Sequence, residues 1–329
     1  MERDTSIDLI KLISIIMVII LHVSSNGFSS TDSFIWNGAN FYESFTRTCV
    51  PLFFMATGSL LINRPLTIQS SAARIKRLVI PFTFWSLAYL IFFKVIKNQD
   101  MDVLSIFLMP AAGHLWYLYA LTAVYLTLPI IGILYLNSTS RVKYYILSIW
   151  FFSCVLIPTL KSYNAPINPS FDLSTLGLYQ GYFFAGAVLS SLKMTYKFRW
   201  LSFLIFLIAS ITILLSTRHF FVVDGLHDVR NYLNSSVLVC VASISLFITL
   251  KGVHLNSSVI KYMLAQQSRY TFGIYLIHLS LVYAMGEIGF SISEKNVFYF
   301  IPLSAAIIYF LSLASCFLIY KARAGAIIS

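Results

Sequence analysis

The sequence predicts an all-α integral membrane protein, with about ten transmembrane helices in a single helical bundle that forms one domain over residues 1–329. Three observations predict it. Of 329 residues, 58% are hydrophobic and 11% charged, and the mean hydropathy is +0.81; a soluble domain carries about 25% charged residues. The apolar runs are too long for the strands of a barrel and do not alternate polar with apolar, so each must satisfy its backbone within its own helix. Lysine and arginine concentrate in alternate connections, the asymmetry that orients membrane helices.

Ten runs fit spans, taken in chain order. The first, Ile7–Ser24, contains IDLIKLISIIMVIILHV (Ile7–Val23) with two polar interruptions of interest, Lys11 and His22. The second, Ser44–Ile62, holds Pro51 and Gly58, which permit a bend and a close helix contact. Leu78–Ile96 follows the basic run Arg74, Lys76 and Arg77, and Leu115–Leu136 opens on GHLWYLYAL. Tyr144–Leu160, Leu173–Leu192, Trp200–Ser216 and Leu233–Leu250 come next, then Tyr270–Met285 and the charge-free Val297–Tyr320. The second, sixth and ninth are shorter or more polar than the rest. The polar stretches Ser25–Glu43, Asn98–Gly113 and Thr217–Tyr232 read as external loops.

The cations test this division. The set of connections that includes the N-terminus holds sixteen: Arg3 and Lys11, then Arg64, Arg74, Lys76 and Arg77, then Arg141 and Lys143, Lys193, Lys197 and Arg199, Lys251, Lys261 and Arg269, and Lys321 and Arg323. The other set holds six, Lys94, Lys97, Lys161, Arg218, Arg230 and Lys295, and Arg47 falls within the second span. Both termini are therefore expected on the cytoplasmic side. The same distribution explains the net charge of +11 without nucleic acid. Met1–Asp4 mixes charges and no A-x-A-like site follows, so the first run is expected to be a retained span, not a leader. Cys49, Cys154, Cys240 and Cys316 are isolated, and the six histidines show no HxxxH spacing, so neither a disulfide framework nor a metal site is expected.

Lys11 and His22 form a K-x10-H pair. Eleven helical steps of about 100° return to within roughly 20° of the starting azimuth, so both side chains share one face, about 16 Å apart along the axis. Ionisable groups inside a membrane helix are costly and usually functional. His22 suits general-base work near neutral pH; the competing reading is a buried histidine bonded to a neighbouring helix. For Lys11 the competing reading is a flanking cation that reaches the cytoplasmic surface, paired with Asp8. Arg47 faces the same external side as His22 and offers five donors to an oxyanion or a substrate. His114 with Trp116 and Tyr117 suits a sugar-like acceptor, and Arg74, Lys76 and Arg77 suit a phosphorylated donor. His278 reads as a core hydrogen bond in the ninth span, and His219, Asp224, His227 and Asp228 read as solvated loop.

These segments together resemble the membrane-bound acyltransferase family 3. K-x10-H matches its R/K-x10-H signature, with lysine at Lys11 where many members have arginine. Arg47 with VPLFFMATG, RIKRLVIPFTFW, HLWYLYAL, YFFAGAVL and SRYTFGIYLIH follow in the family's order over nearly the whole chain. The chain is most similar to stand-alone O-acetyltransferases of bacterial envelope polysaccharides. That resemblance implies acetyl-CoA as a donor substrate from the cytoplasm, no permanently bound cofactor, and a polysaccharide or lipid-linked sugar as acceptor on the external face of the inner membrane. It implies His22 as the catalytic histidine, Lys11 as a residue that helps to place the donor, and a role for the basic position Arg47. The alternative is a flippase or transporter of a glycan-lipid, with His22, Arg47 and His278 lining a path; no repeat of hydropathy halves supports it.

Overall fold

A computed structural model describes residues 3–98, 104, 106, 108–224, 227–253, 255–290, 292 and 297–328. Among these residues the secondary structure is helical throughout. The long helices are α1 (Thr5–Phe28), α2 (Ser33–Thr46), α3 (Cys49–Leu61), α4 (Ile68–Lys97), α5 (Trp116–Asn137) and α6 (Ser140–Ser162). They continue with α7 (Ser174–Ser190), α8 (Tyr196–Asp224), α9 (Val237–Lys251), α10 (Ser258–Glu287) and α11 (Val297–Lys321). Nine of the ten expected spans each coincide with a helix, and the second is divided between α2 and α3. Lys295 and part of the Asn98–Gly113 stretch lie outside the described residues, as does the side chain of Asp224.

Seven helices are long and apolar enough to cross a membrane: α1, α4, α5 with the turn before it, α6, α8, α9 with the turn before it, and α11. The other three are α3, α7 and α10, the spans that look short or polar in the sequence. At 1.5 Å per residue the 13 residues of α3 reach about 20 Å, short of a hydrocarbon core about 30 Å thick. They are sheltered by protein instead. Cys49, Leu52, Phe54, Met55 and Ala56 of α3 are buried, as are Tyr182, Phe183, Ala185 and Ala187 of α7. A helix enclosed by other helices escapes the length and hydropathy that lipid imposes.

Gly58 and Gly186 set the α3–α7 crossing. A Cβ on Gly58 would fall 1.9 Å from the Phe183 carbonyl oxygen, and one on Gly186 would fall 2.1 Å from that of Met55. The two backbones touch where only hydrogen separates them, the use of small residues expected between membrane helices. α1 stands at the centre of the bundle, packed on α2, α3, α9, α10 and α11. Its Ile10, Ile15, Val18, Ile19 and Val23 are all buried.

The stretch expected as one external loop, Ser25–Glu43, contains most of α2. Asp32 caps that helix, accepting from the backbone N–H groups of Phe34 and Ile35. The second span is also shorter than expected, because the chain breaks at Arg47 and Thr48 before α3 begins. Pro51 explains the break: a proline ring clashes with the carbonyl four residues earlier, here that of Arg47. Arg47 is thus the C-cap of α2 and not the start of the span.

The two sets of connections sit at opposite ends. Arg3, Arg64, Lys251 and Arg269 gather at one mouth with Asp4 and Asp8, whereas Lys97 and Glu287 stand together at the other. Asp4 caps α1 and receives a hydrogen bond from Lys251 at the end of α9 (2.8 Å). Asp8 does not pair with Lys11. Arg3 takes both of its oxygens, at 2.6 and 3.2 Å, and Lys11 turns to the Ser268 hydroxyl at 3.5 Å.

Candidate functional site

Three imidazoles from three helical segments meet inside the bundle. His22 comes from α1, His114 from the turn that leads into α5, and His278 from α10. The His278 ring centroid lies 5.2 Å from that of His22 and 5.2 Å from that of His114, and His22 and His114 are 6.3 Å apart. His114 and His278 are fully enclosed, while His22 retains partial exposure. Among the described residues no group of three histidine, cysteine, aspartate or glutamate side chains is placed to hold a metal ion.

Backbone contacts fix this cluster. His278 Nδ1 lies 2.6 Å from the carbonyl oxygen of Tyr275. A carbonyl only accepts, so Nδ1 carries the proton and Nε2 presents a lone pair. That Nε2 is buried without a partner, and the buried His114 ring stands beside the backbone of Leu276. The Tyr275 hydroxyl donates to the His114 carbonyl, and the Tyr89 hydroxyl donates to that of Leu276 at 3.0 Å. Tyr89 and Tyr275 also hold the His114 ring at 5.1 and 5.3 Å. Buried polar atoms in folded proteins are nearly always paired, so an unpaired His278 nitrogen among three adjoining imidazole rings marks a place suited to a ligand or a transferred proton.

A cavity of about 350 Å³ lies on one side of the cluster. Lys11, Arg74, Arg77 and Ser268 line its polar part, and Phe53, Leu121, Tyr125, Phe272 and Tyr275 its apolar walls. Lys11 and Ser268 also line an outer cavity of about 540 Å³, with Arg3, Arg64, Lys251 and Arg269. Cations therefore ring the outer mouth and continue inward, and Tyr275 on the apolar wall packs against the His114 ring. Lys76 points away: it is exposed and absent from the lining that its neighbours Arg74 and Arg77 share. Tyr117, grouped with His114 in the sequence, lines this cation-bearing cavity, with its ring 5.2 Å from Tyr275. Trp116 packs 5.4 Å from Tyr179.

Arg47 is held in a buried clamp. Its guanidinium pairs with the Glu43 carboxylate one turn earlier and lies over the Tyr232 ring, 4.2 Å from the centroid. Glu43 is fully buried, and its other oxygen accepts from the Ser24 hydroxyl of α1 at 3.3 Å. Tyr232 in turn donates to Asn40, whose amide bonds the Leu214 carbonyl at 3.1 Å. Arg47 Nε remains buried and unpartnered, and its charge acts on His22. The sequence places Glu43 in a polar stretch that reads as a loop; its i, i+4 spacing from Arg47 is the signal for the pair. The sequence places His278 at a core hydrogen bond. It makes one, through Nδ1, and its other nitrogen faces the cluster. His227 also departs from a solvated loop, since its Nδ1 accepts from Trp36 Nε1 at 3.1 Å.

A family model described as an acyltransferase domain matches residues 4–321. Comparison with curated proteins and with solved structures gave no match.

Proposed function

The chain belongs to the membrane-bound acyltransferase family 3, and on that premise we propose that it moves an acetyl group from acetyl-CoA to a hydroxyl of an envelope glycan or lipid-linked sugar. The observation that carries this reading is the imidazole cluster beside a cation-ringed, apolar-walled cavity, with Tyr275 both lining the cavity and packed on the His114 ring. Acetyl-CoA has that polarity: phosphates at one end, a long neutral arm, and a thioester at the tip. Arg74, Arg77 and Lys11 meet the anionic end, since arginine binds phosphate through paired donors. The arm follows the roughly 16 Å of α1 that separates Lys11 from His22.

At the cluster, the acceptor oxygen attacks the thioester carbonyl carbon. The C–O bond forms, the C–S bond breaks, and His22 takes the hydroxyl proton and returns it to the departing sulfur. The products are the acetyl ester and free CoA thiol. His22 fills this role because it is the accessible member of the three. In this reading the mouth that holds Arg64, Lys251 and Arg269 faces the cytoplasm of a bacterium and the protein resides in the inner membrane, with the acceptor arriving from the external side.

The direct test is thiol release. Purified protein supplied with acetyl-CoA and with envelope glycan from cells that lack the gene should liberate CoA thiol and gain base-labile acetate on the glycan. Absence of both would sink the reading. Replacement of Arg77 by alanine should raise the apparent KM for acetyl-CoA several-fold, with a smaller effect on the KM for glycan; an unchanged donor KM would leave Arg77 as an orienting charge alone. Lys11→Arg should retain much of the activity that Lys11→Ala loses. The sixteen-to-six division of cations sets the orientation. Reporters active only outside the cytoplasm should accordingly stay silent when fused at either terminus. An active C-terminal fusion would overturn the assignment of sides.

A further inference from the structure

We propose that a cavity between α8 and α9, at the end of the bundle that carries Lys251, holds the headgroup of an anionic phospholipid from the surrounding bilayer. Tyr196, Arg199, Trp200 and Phe203 line it from α8 and Thr249 from α9, and its volume is about 250 Å³. Its level along the two helices is where a bilayer exchanges hydrocarbon for headgroups. Residues 201–215 of α8 and 237–250 of α9 carry no charge, and Arg199 and Lys251 stand at the ends of those runs. Tyr196 and Trp200 are exposed there, the position that aromatic residues favour at a membrane boundary.

Arg199 is built in, unlike the cations beside it. Lys193 and Lys197 are exposed, whereas Arg199 is half-buried and tethered, its Nε donating to the Thr249 carbonyl at 3.2 Å. Its stem lies across Gly252, where a Cβ would fall 2.5 Å from Arg199 Cδ. A charge that only orients a helix needs neither the tether nor the cleared space. Lys251 is engaged by Asp4 at 2.8 Å, but Arg199 pairs with no carboxylate among the described residues, and residues 173–223 include no aspartate or glutamate. The guanidinium therefore keeps donors for an outside anion, and phosphate oxygens accept them in pairs. The rest of the lining suits a lipid and not a free ion. Tyr196, Trp200 and Phe203 form a ladder of rings along α8, with successive centroids 6.0 Å apart. That ladder leads from the boundary toward the apolar run and gives the glycerol and acyl chain below the phosphate a wall to lie on.

Native mass spectrometry of the purified full-length protein tests this, by titration with dioleoyl-phosphatidylglycerol or dioleoyl-phosphatidylcholine. The wild-type protein should bind its first phosphatidylglycerol at least about fivefold more tightly than phosphatidylcholine, the effect of one cation near a lipid surface. Arg199→Gln keeps an amide N–H for the Thr249 carbonyl and removes the charge. It should weaken phosphatidylglycerol about fivefold and leave phosphatidylcholine within about twofold. Gly252→Ala puts a methyl group where the arginine stem lies and alters no charge, yet it should weaken phosphatidylglycerol in the same direction. Lys261→Gln, which removes an exposed cation of α10, should leave both affinities within about twofold. Equal affinity of the wild-type protein for the two lipids would overturn the proposal, as would unchanged phosphatidylglycerol binding in both Arg199→Gln and Gly252→Ala. An equal loss in Lys261→Gln would mean diffuse surface attraction and no site. Displacement of the lipid by excess inorganic phosphate would mean a free-anion site, and either result would overturn it too.

Discussion

His22→Ala should abolish acetyl transfer in a protein that still inserts and accumulates normally. His22 keeps partial exposure while His114 and His278 are enclosed, so of the three it is the one expected to meet the proposed acceptor. A general base contributes about 10²–10⁴-fold in rate. If the acetyl group instead rests transiently on the ring, the loss is nearly complete. The structural cost of the change is small by comparison, because the His22 side chain neither caps a helix nor holds a backbone group, unlike His278, whose ring anchors to the Tyr275 carbonyl. Turnover at the wild-type rate by a folded His22→Ala protein would refute the mechanism. Parallel loss of protein from the membrane would instead identify His22 as a packing residue. His278→Ala makes the informative comparison: it should lower activity too, but with a shifted pH profile, because it removes a lone pair beside His22 and leaves His22 in place.

The second large effect is expected at Glu43. Its carboxylate is fully buried against the Arg47 guanidinium, which is itself three-quarters enclosed. Removing one member of a buried ion pair leaves the other uncompensated, at a cost of about 3–5 kcal/mol. The residual exposure of Arg47 allows some solvation and places Glu43→Ala near the lower end of that range, about 3 kcal/mol. Because Glu43 also receives the Ser24 hydroxyl, the substitution should loosen α1 next to His22. Thermal unfolding of the single and double variants separates the contributions. Glu43→Ala with Arg47→Ala should be milder than the sum of the two single changes, since neither charge is then stranded. Strict additivity would mean that the pair carries no coupling and that Arg47 is held by Tyr232 alone.

Much of this site was readable in the residues. K-x10-H on one apolar face needs only helix geometry, and Arg74 and Arg77 line the cavity that their charge suggested. What escaped had physical reasons. Glu43 sat in a stretch too polar to be a span, yet α2 is a helix that packs on α1 and α8 and buries Glu43 on its inner side. Composition records how polar a segment is and not which side it turns inward. The three helices that fall short of a span, α3 and α7 in length and α10 in hydropathy, do so for the same reason: they face protein, so the lipid that enforces long apolar runs elsewhere does not act on them. Tyr117 and His114 are three residues apart and looked like one group, but His114 belongs to the cluster and Tyr117 to the cavity with the cations. Only the tertiary arrangement divides them. His278 illustrates the limit most directly, since a histidine in an apolar run has two nitrogens and the sequence says nothing about which is engaged.

The position of the imidazoles inside the bundle has an electrical consequence. In the proposed reaction the proton leaves a hydroxyl on the external side and departs as the thiol hydrogen of CoA on the cytoplasmic side, while the acetyl group crosses the other way as the formal acyl cation that replaces it. A neutral hydroxyl becomes a neutral ester outside, and a neutral thioester becomes a neutral thiol inside. Each turnover therefore moves no net charge, and a voltage worth about 2.3 kcal/mol per elementary charge per 100 mV neither drives nor opposes ester formation.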